Sequence, residues 1–275
     1  MYKFFIVSDV HSHFDELMTA LDEAGYDKNN PEHIFVSCGD LLDRGSHPIK
    51  CLEFVNSIPK ERKALIRGNH EVLLMQALNR GDIGWHDYHN GTADTIMQLT
   101  GYATKTGFVD KNKSDIKDIY YNLKYLPILE EYYNCLVNYY ETDRFIYVHG
   151  WYPHWHPNWR ELNVTGWDEA VWLNGFENGF AGNNNTKKNI IFGHWHCSTG
   201  WATEFPDKYV EFKNIKTRDL KRELKEKDIR IENFEPYYGT NFIGIDACTT
   251  YSGKVNCLVI EDKLLKEHTY ENNND

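Results

Sequence analysis

Residues 33–45 read HIFVSCGDLLDRG. An apolar run rich in Ile, Val and Phe that stops at a Gly-Asp turn is the pattern of a buried strand ending in a polar loop. The pattern recurs at "FFIVSD" (4–9), "ALIRGNH" (64–70), "RFIYVHG" (144–150) and "NIIFGHWH" (189–196). Between the first three runs lie helical periodicities, "FDELMTALDEAG" with Gly25 as its C-cap and "SHPIKCLEFVNSI". Strand–helix–strand–helix–strand predicts an α/β fold (α+β by some schemes) built around a central sheet.

Residues 71 to about 135 then turn mostly helical and read as an insertion after the third strand. The dense mixed charge at 207–232 reads as a solvated helix or hairpin. "GTNFIGIDACTTYSGKVNCLVIEDKLL" (239–265) reads as closing strands around a turn at Ser252-Gly253. One domain over 1–275 is the expectation. With 41% hydrophobic and 15% aromatic residues, the chain is rich enough in apolar groups for a packed core. A net charge of -11 argues against an extended duplex-binding face. "MYKFFIVSDVHSH" is too short an apolar run for a signal peptide, and no run nears the roughly 18 residues of a membrane span. The six cysteines are scattered without a Cys-x-x-Cys pair. These features together predict a cytoplasmic protein with reduced thiols, off the membrane.

Functional groups of open α/β sheets gather beyond the carboxyl ends of the strands. Here each of the five strand ends carries ligand-type residues: Asp9 and His11; Asp40; Asn69 and His70; His149; His194 and His196. Carboxylates, imidazoles and an amide suit Mn, Fe or Zn, and the absence of a required cysteine argues against a structural zinc site. Eight candidates exceed the needs of one ion. Two ions bridged by a carboxylate would use nearly all of them, and Asp40 is the natural bridge.

"SDVHSH", "GDLLDRG", "IRGNHE", "VHG" and "FGHWH" resemble the signature blocks of the calcineurin-like metallophosphoesterases, and the second and third resemble the phosphoprotein phosphatase branch. "HNGTADTIMQLTG", "YLPILEEYY" and "IDACTTYSGKVNCLVIE" extend the likeness over most of residues 1–262, the last as a closing hairpin. The resemblance implies a mixed β-sandwich flanked by helices. It implies two divalent metals, Mn foremost, with Fe, Zn, Co or Ni as alternatives. Asp9, His11 and Asp40 would hold the first ion; Asp40, Asn69, His149 and His194 the second. A hydroxide between the ions would attack phosphorus in line, with His70 as general acid, Asp43 orienting it and Arg44 binding phosphate.

The chain departs from the branch in three places. Ser8 and Ser12 stand where relatives show Gly. Asn174 in "VWLNG" stands where they carry a second phosphate-binding Arg, for which Arg160 is a candidate substitute; Asn69 and Arg67 are further substrate-binding candidates, Arg67 reading also as an ion pair that supports the loop. The closing block is Gly-His-x-His, so His196 is expected to bind the first metal or else to meet substrate or a nearby carboxylate. The leading expectation is a phosphatase acting on phosphoserine or phosphothreonine in proteins, or on a small phosphoester. The alternative is a nucleotide-directed hydrolase, such as a dinucleoside tetraphosphatase, or a phosphodiesterase. The aromatic cluster "WYPHWHPNW" (151–159) could serve a base, although a packed wall is the simpler reading. A silent binding module fits poorly with a full ligand set. Stable nucleic-acid binding is not expected, and no sign of an oligomeric state is read.

Overall fold

The computed structural model describes residues 1–100, 123, 126–211 and 232–265. In β1 (Tyr2–Val7), each residue from Phe4 to Val7 is buried, and alternate side chains enter different cores. Phe4 and Ile6 face a core between two sheets, while Phe5 and Val7 face helices. β2 (His33–Ser37) and β3 (Lys63–Ile66) do the same, with Ile34, Val36, Ala64 and Ile66 on the inter-sheet side and Phe35 and Leu65 on the helical side. Burial on both faces is why these strands are unbroken apolar runs rather than alternating ones.

The first sheet has the order β10-β1-β2-β3-β4, with β4 at Leu136–Val137 and β10 at Leu258–Asp262. β1 to β4 are parallel and β10 runs antiparallel to β1. The second sheet has the order β5-β6-β7-β9-β8. Its centre is parallel: β6 (Phe145–Tyr147), β7 (Asn189–Phe192) and β9 (Phe242–Gly244). β5 (Tyr140–Glu141) and β8 (Tyr237–Gly239) form its antiparallel edges. Phe145, Tyr147, Ile191 and Ile245 close the inter-sheet core from this side. The fold is thus the mixed two-sheet sandwich that the family resemblance implies.

Helices α1 (Phe14–Ala24) and α2 (Pro48–Ser57) cover the first sheet. Gly25 caps α1 with φ 78°, as its position suggests. α3 (Asn69–Arg80), α4 (Trp85–Asn90), α5 (Thr92–Leu99) and α6 (Pro127–Tyr133) make up the described part of the helical insertion. The second sheet carries α7 (Gly175–Phe180) and α8 (Cys197–Glu204). Most of the 207–232 charged run lies outside the described residues. Among the described residues, no helix is long and apolar enough to cross a membrane.

The expected closing hairpin is corrected. β9 pairs with β7 in the second sheet and β10 with β1 in the first, so the two strands never meet. Between them, α9 (Thr249–Ser252) ends at Gly253, whose φ of 67° caps the helix instead of turning a hairpin. The connection passes from one sheet to the other.

Candidate metal centre

The parallel strands of both sheets deliver their carboxyl ends to one recess, lined by Asp9, His11, Asp40, Asn69, His70 and His194 among others. The backbone there is strained: Asp9, His11, Ser12, Asp40, Asp43, Arg44, His194 and Cys248 all have φ between 49° and 73°. Side chains with a Cβ adopt this region at a cost, and its clustering marks a functional site. Close approach also demands glycine. A Cβ on Gly193 would overlap Ser8 Oγ and Asp9 Oδ2, and one on Gly39 would lie 2.6 Å from His149 Nδ1. A larger cavity of 770 Å³ beside α1 is lined largely by carboxylates and aliphatic groups with no comparable convergence. The chemistry lies in the smaller recess.

Two imidazoles are held in one tautomer. His11 Nδ1–H donates to the Leu42 carbonyl at 3.0 Å and His149 Nδ1–H to that of Cys38 at 2.8 Å. His194 also hydrogen-bonds the Trp172 backbone. The Nε2 atoms of His11 and His149 are thereby left as acceptors, the usual outer-shell arrangement of a ligating histidine. Burial pushes the pKa values of all three imidazoles down, those of His11 and His194 well below the usual histidine value. His149 Nε2 lies 2.8 Å from Asn69 Oδ1 and 3.3 Å from Asp40 Oδ1, so acceptor atoms converge where a cation would satisfy them.

Among the described residues, two clusters have ligand atoms within 4.8 Å of one another: His11, Asp40 and His70, and Asp40, His149 and His194. Asp40 belongs to both, the placement a bridging carboxylate needs. Burial pushes the pKa of Asp9 up to about 6, helped by the nearby Asp246, and that of Asp40 well above the carboxylate range. Divalent cations would relieve this crowding of buried negative charge. The donor set therefore fits two such ions.

His70 Nδ1–H donates to Asp43 Oδ2 at 2.8 Å. Burial works against the His70 imidazolium, yet Asp40 and the Asp43 hydrogen bond outweigh it and its pKa is raised. Arg44 Nη1 and Nη2 lie 3.1 Å from the Nε2 atoms of His11 and His70. Arg44 is the guanidinium among the described residues lining the recess.

Arg67 and Arg160, two substrate-binding candidates, both point away from the recess, Arg67 into the ion pair of its other reading. Arg67 turns outward to Asp168 at 2.8 Å and the Val164 carbonyl at 2.9 Å, holding the turn at 164–167. Arg160 clamps Glu141 in a two-point pair at 2.9 and 3.0 Å and stacks on Trp159. It lines a separate recess with Tyr152 and Lys188. Nor does Asn174 replace the missing arginine, since its side chain caps α7 by accepting from Phe176 and Glu177. In the 151–159 cluster Trp151, Tyr152 and Trp159 are core residues, the packed wall.

His196 reaches the recess by a different route from the expected one. β7 ends at Phe192, His194 has a left-handed backbone, and His196 is the N-cap of α8, so the two histidines do not share a strand face. Its Nε2 lies 3.9 Å from Asp246 Oδ2, and it belongs to neither three-residue cluster. Its neighbour is the nearby carboxylate of the second sequence reading.

Two residues escaped the sequence reading. Asp246 follows β9, a sixth strand end with a ligand-type residue, masked by the hairpin reading; its buried carboxyl is pushed up to about 6. Glu71, in the "RGNHE" block, accepts the backbone N–H groups of Gly68, Asp40 and Leu41 at 2.8, 2.9 and 3.0 Å, and the Tyr132 hydroxyl at 2.9 Å. A Glu three residues past a helix N-cap was the available signal.

The family model for calcineurin-like phosphoesterases matches residues 2–198. The chain belongs to that family. The symmetrical bis(5'-nucleosyl)-tetraphosphatase of Glaesserella parasuis is 36% identical over 74 residues, 27% of this phosphoesterase and 26% of that protein. The asymmetrical bis(5'-nucleosyl)-tetraphosphatase of Halalkalibacterium halodurans is 35% identical over 75 residues, 25% and 30% of the two chains. The matched stretch thus spans only a quarter to a third of each relative. A solved cold-active protein-tyrosine phosphatase of a psychrophilic Shewanella covers 95% of the phosphoesterase and 76% of its own chain at 15% identity and TM-score 0.49. That likeness carries no functional weight.

Proposed function

We propose that this phosphoesterase is a two-metal hydrolase of dinucleoside polyphosphates. The hydrolytic part of the reading rests on one observation: Asp40 shared between the clusters His11–Asp40–His70 and Asp40–His149–His194, with Asp43 and Arg44 bonded to His70. When bound, two divalent ions would lower the pKa of water and polarise the phosphoryl group. Asp9, His11, Asp40, Asn69, His149 and His194 are the residues proposed to hold them. His70 would give its proton to the leaving oxygen, with Asp43 fixing its ring. Arg44 would bind two phosphate oxygens with its fork. His196, beside Asp246, would contact substrate or water at the recess edge.

For the substrate class, the local similarity to tetraphosphatases supports a nucleotide more than a phosphoprotein. Trp172 adds a specific feature. It is 46% exposed, unusual for so large an apolar ring, and its ring centre lies 6.0 Å from that of His194. A base could stack there while the phosphates reach the metals, and such stacking tolerates any base. With Arg44 the one guanidinium lining the recess among the described residues, the site also suits a chain of phosphates already bridged by metal better than an isolated phosphomonoester. Initial rates in one Mn-containing buffer test this. A dinucleoside tetraphosphate should be cleaved at least about tenfold faster than a phosphoserine peptide, the order of one stacked base. The reverse preference would restore the phosphoprotein reading.

A further inference from the structure

The segment "HNGTADTIMQLTG" stood out in the sequence without a role. In the structure, one face of α5 is bonded to the loop that carries Asp43 and Arg44. Thr92, Thr95 and Gln98 recur at intervals of three, which places them along one side of the helix. The Thr92 hydroxyl donates to Asp43 Oδ2 at 2.7 Å, and the Asp43 N–H donates to Thr95 Oγ1 at 3.0 Å. The Gln98 amide donates to the Gly45 carbonyl, also at 3.0 Å. Both threonines are fully buried. At the N-cap of α5, Gly91 lies so close that a Cβ would stand 2.8 Å from Arg44 Cα.

These contacts act where the backbone most needs support. Asp43 and Arg44 have φ of 73° and 64°, a conformation that residues with a Cβ leave unless something holds them. The Asp43 carboxylate is poised in a particular way. Its Oδ2 receives both His70 Nδ1–H and the Thr92 hydroxyl, while its buried Oδ1 has no hydrogen-bond partner among the described residues. Rotation about the bond to the carboxylate is soft, so the plane of the group is set by those two donors. Thr92 is the donor that does not take part in chemistry.

We propose that α5 is the positioning element of the proton donor: Thr92 and Thr95 hold Asp43 in the orientation that aligns His70, and Gln98 holds the turn that presents Arg44. Thr92 is a positioning residue and touches no substrate. The inference rests on His70 as proton donor, a role that weighs most where the leaving oxygen is as basic as an alkoxide.

The test uses Thr92→Val, which keeps the shape and removes the hydroxyl, and Thr92→Ser, which restores it. Each is assayed at saturating Mn with an alkyl phosphomonoester and with p-nitrophenyl phosphate, whose leaving group needs no proton. His70→Asn is the reference. Removing alignment of a general acid should cost Thr92→Val about tenfold or more in kcat on the alkyl ester and much less on the aryl ester. Thr92→Ser should recover most of the loss, with bound Mn and thermal unfolding as in the wild type. Gln98→Ala, acting through Arg44, should instead raise KM for both esters alike, and this stands as a second arm if Thr92→Val does not fold. Equal loss on both esters, or loss that Ser does not recover, overturns the inference while His70→Asn still shows the leaving-group split. If His70→Asn shows no split, the proton-donor reading fails and this inference with it. An unchanged KM in Gln98→Ala removes the role given to Gln98.

Discussion

Glu71 Oε2 accepts the backbone N–H of Asp40 at 2.9 Å, tying the third strand's exit to the residue shared by both ligand clusters. Gly68 and Leu41 donate to the same carboxylate, and Tyr132 brings α6 into the same knot. Glu71→Gln places a donor where the native oxygens only accept. Leaving buried N–H groups unsatisfied costs about 1–3 kcal/mol each. We expect Glu71→Gln to lower the unfolding temperature by about 5 °C or more. Mn affinity should fall about 10–100-fold, as for other supports of metal ligands. Calorimetric Mn titration and thermal unfolding check both; wild-type Mn affinity would contradict the role.

Gly193 and Gly182 separate crowding from backbone strain. A Cβ at Gly193 meets Ser8 Oγ and Asp9 Oδ2, whereas Gly182, with φ 73°, has nothing within 4 Å. Gly182→Ala should cost about 1–2 kcal/mol, the price of the left-handed backbone, and leave activity intact. Gly193→Ala should displace Asp9 and abolish activity by more than about a hundredfold. Parallel unfolding and rate measurements distinguish the two. Similar activity in both variants would show that the contact at Gly193 relaxes freely.

Metal removal should reveal the buried carboxyls. Burial pushes Asp9 and Asp246 up to about 6, with Asp246 adding to the effect on Asp9. A carboxyl whose folded pKa is raised binds its proton more tightly in the folded state than in the unfolded one. Its contribution is therefore favourable at low pH and is lost as pH rises from near 4 through about 6. In chelator, stability should fall across that window by roughly 2 kcal/mol per group. Excess Mn should flatten the fall at pH 7, since binding to the folded state stabilises it. Denaturant titrations at several pH values, with and without Mn, measure this.

Glu141 anchors Arg160 and Lys188 away from the recess. Burial raises its pKa, but both cations more than offset this and the net direction is down. Stability from a lowered carboxylate is present above its unfolded pKa and lost as pH falls through the folded one. Glu141→Gln should destabilise the protein by about 1–3 kcal/mol at neutral pH, after allowance for the exposure of Arg160. The difference from wild type should shrink at pH 3–4. Arg160→Ala should leave KM for a phosphoester within about twofold of wild type, because it removes no contact in the recess. A large rise in KM would reinstate Arg160 as a substrate residue.

The parts of this fold that show in the sequence are those whose environment is uniform along the chain. β1, β2, β3 and β7 are buried on both faces, and their apolar runs end where their ligand residues begin. The two-residue strands β4 and β5 carry no such pattern, being defined by register with neighbours. Ser252-Gly253 signals a local turn but not which sheet the next strand joins. The ligand candidates were legible because they sit at strand ends. Asp246 was hidden by the wrong pairing, and Thr92 works on a residue 49 positions away. Arg67 and Arg160 show the limit of reading charge alone, since composition says nothing of which way a guanidinium points.

The central claim is that Asp40 bridges two ions in one recess. Metal analysis combined with electron paramagnetic resonance of the Mn-loaded protein tests it most directly. Two Mn ions per chain with a spin-coupled spectrum are expected, because bridged ions sit about 3.5–4 Å apart. Asp40→Asn should lose the coupling. One ion per chain, or two with uncoupled signals, would contradict the shared site.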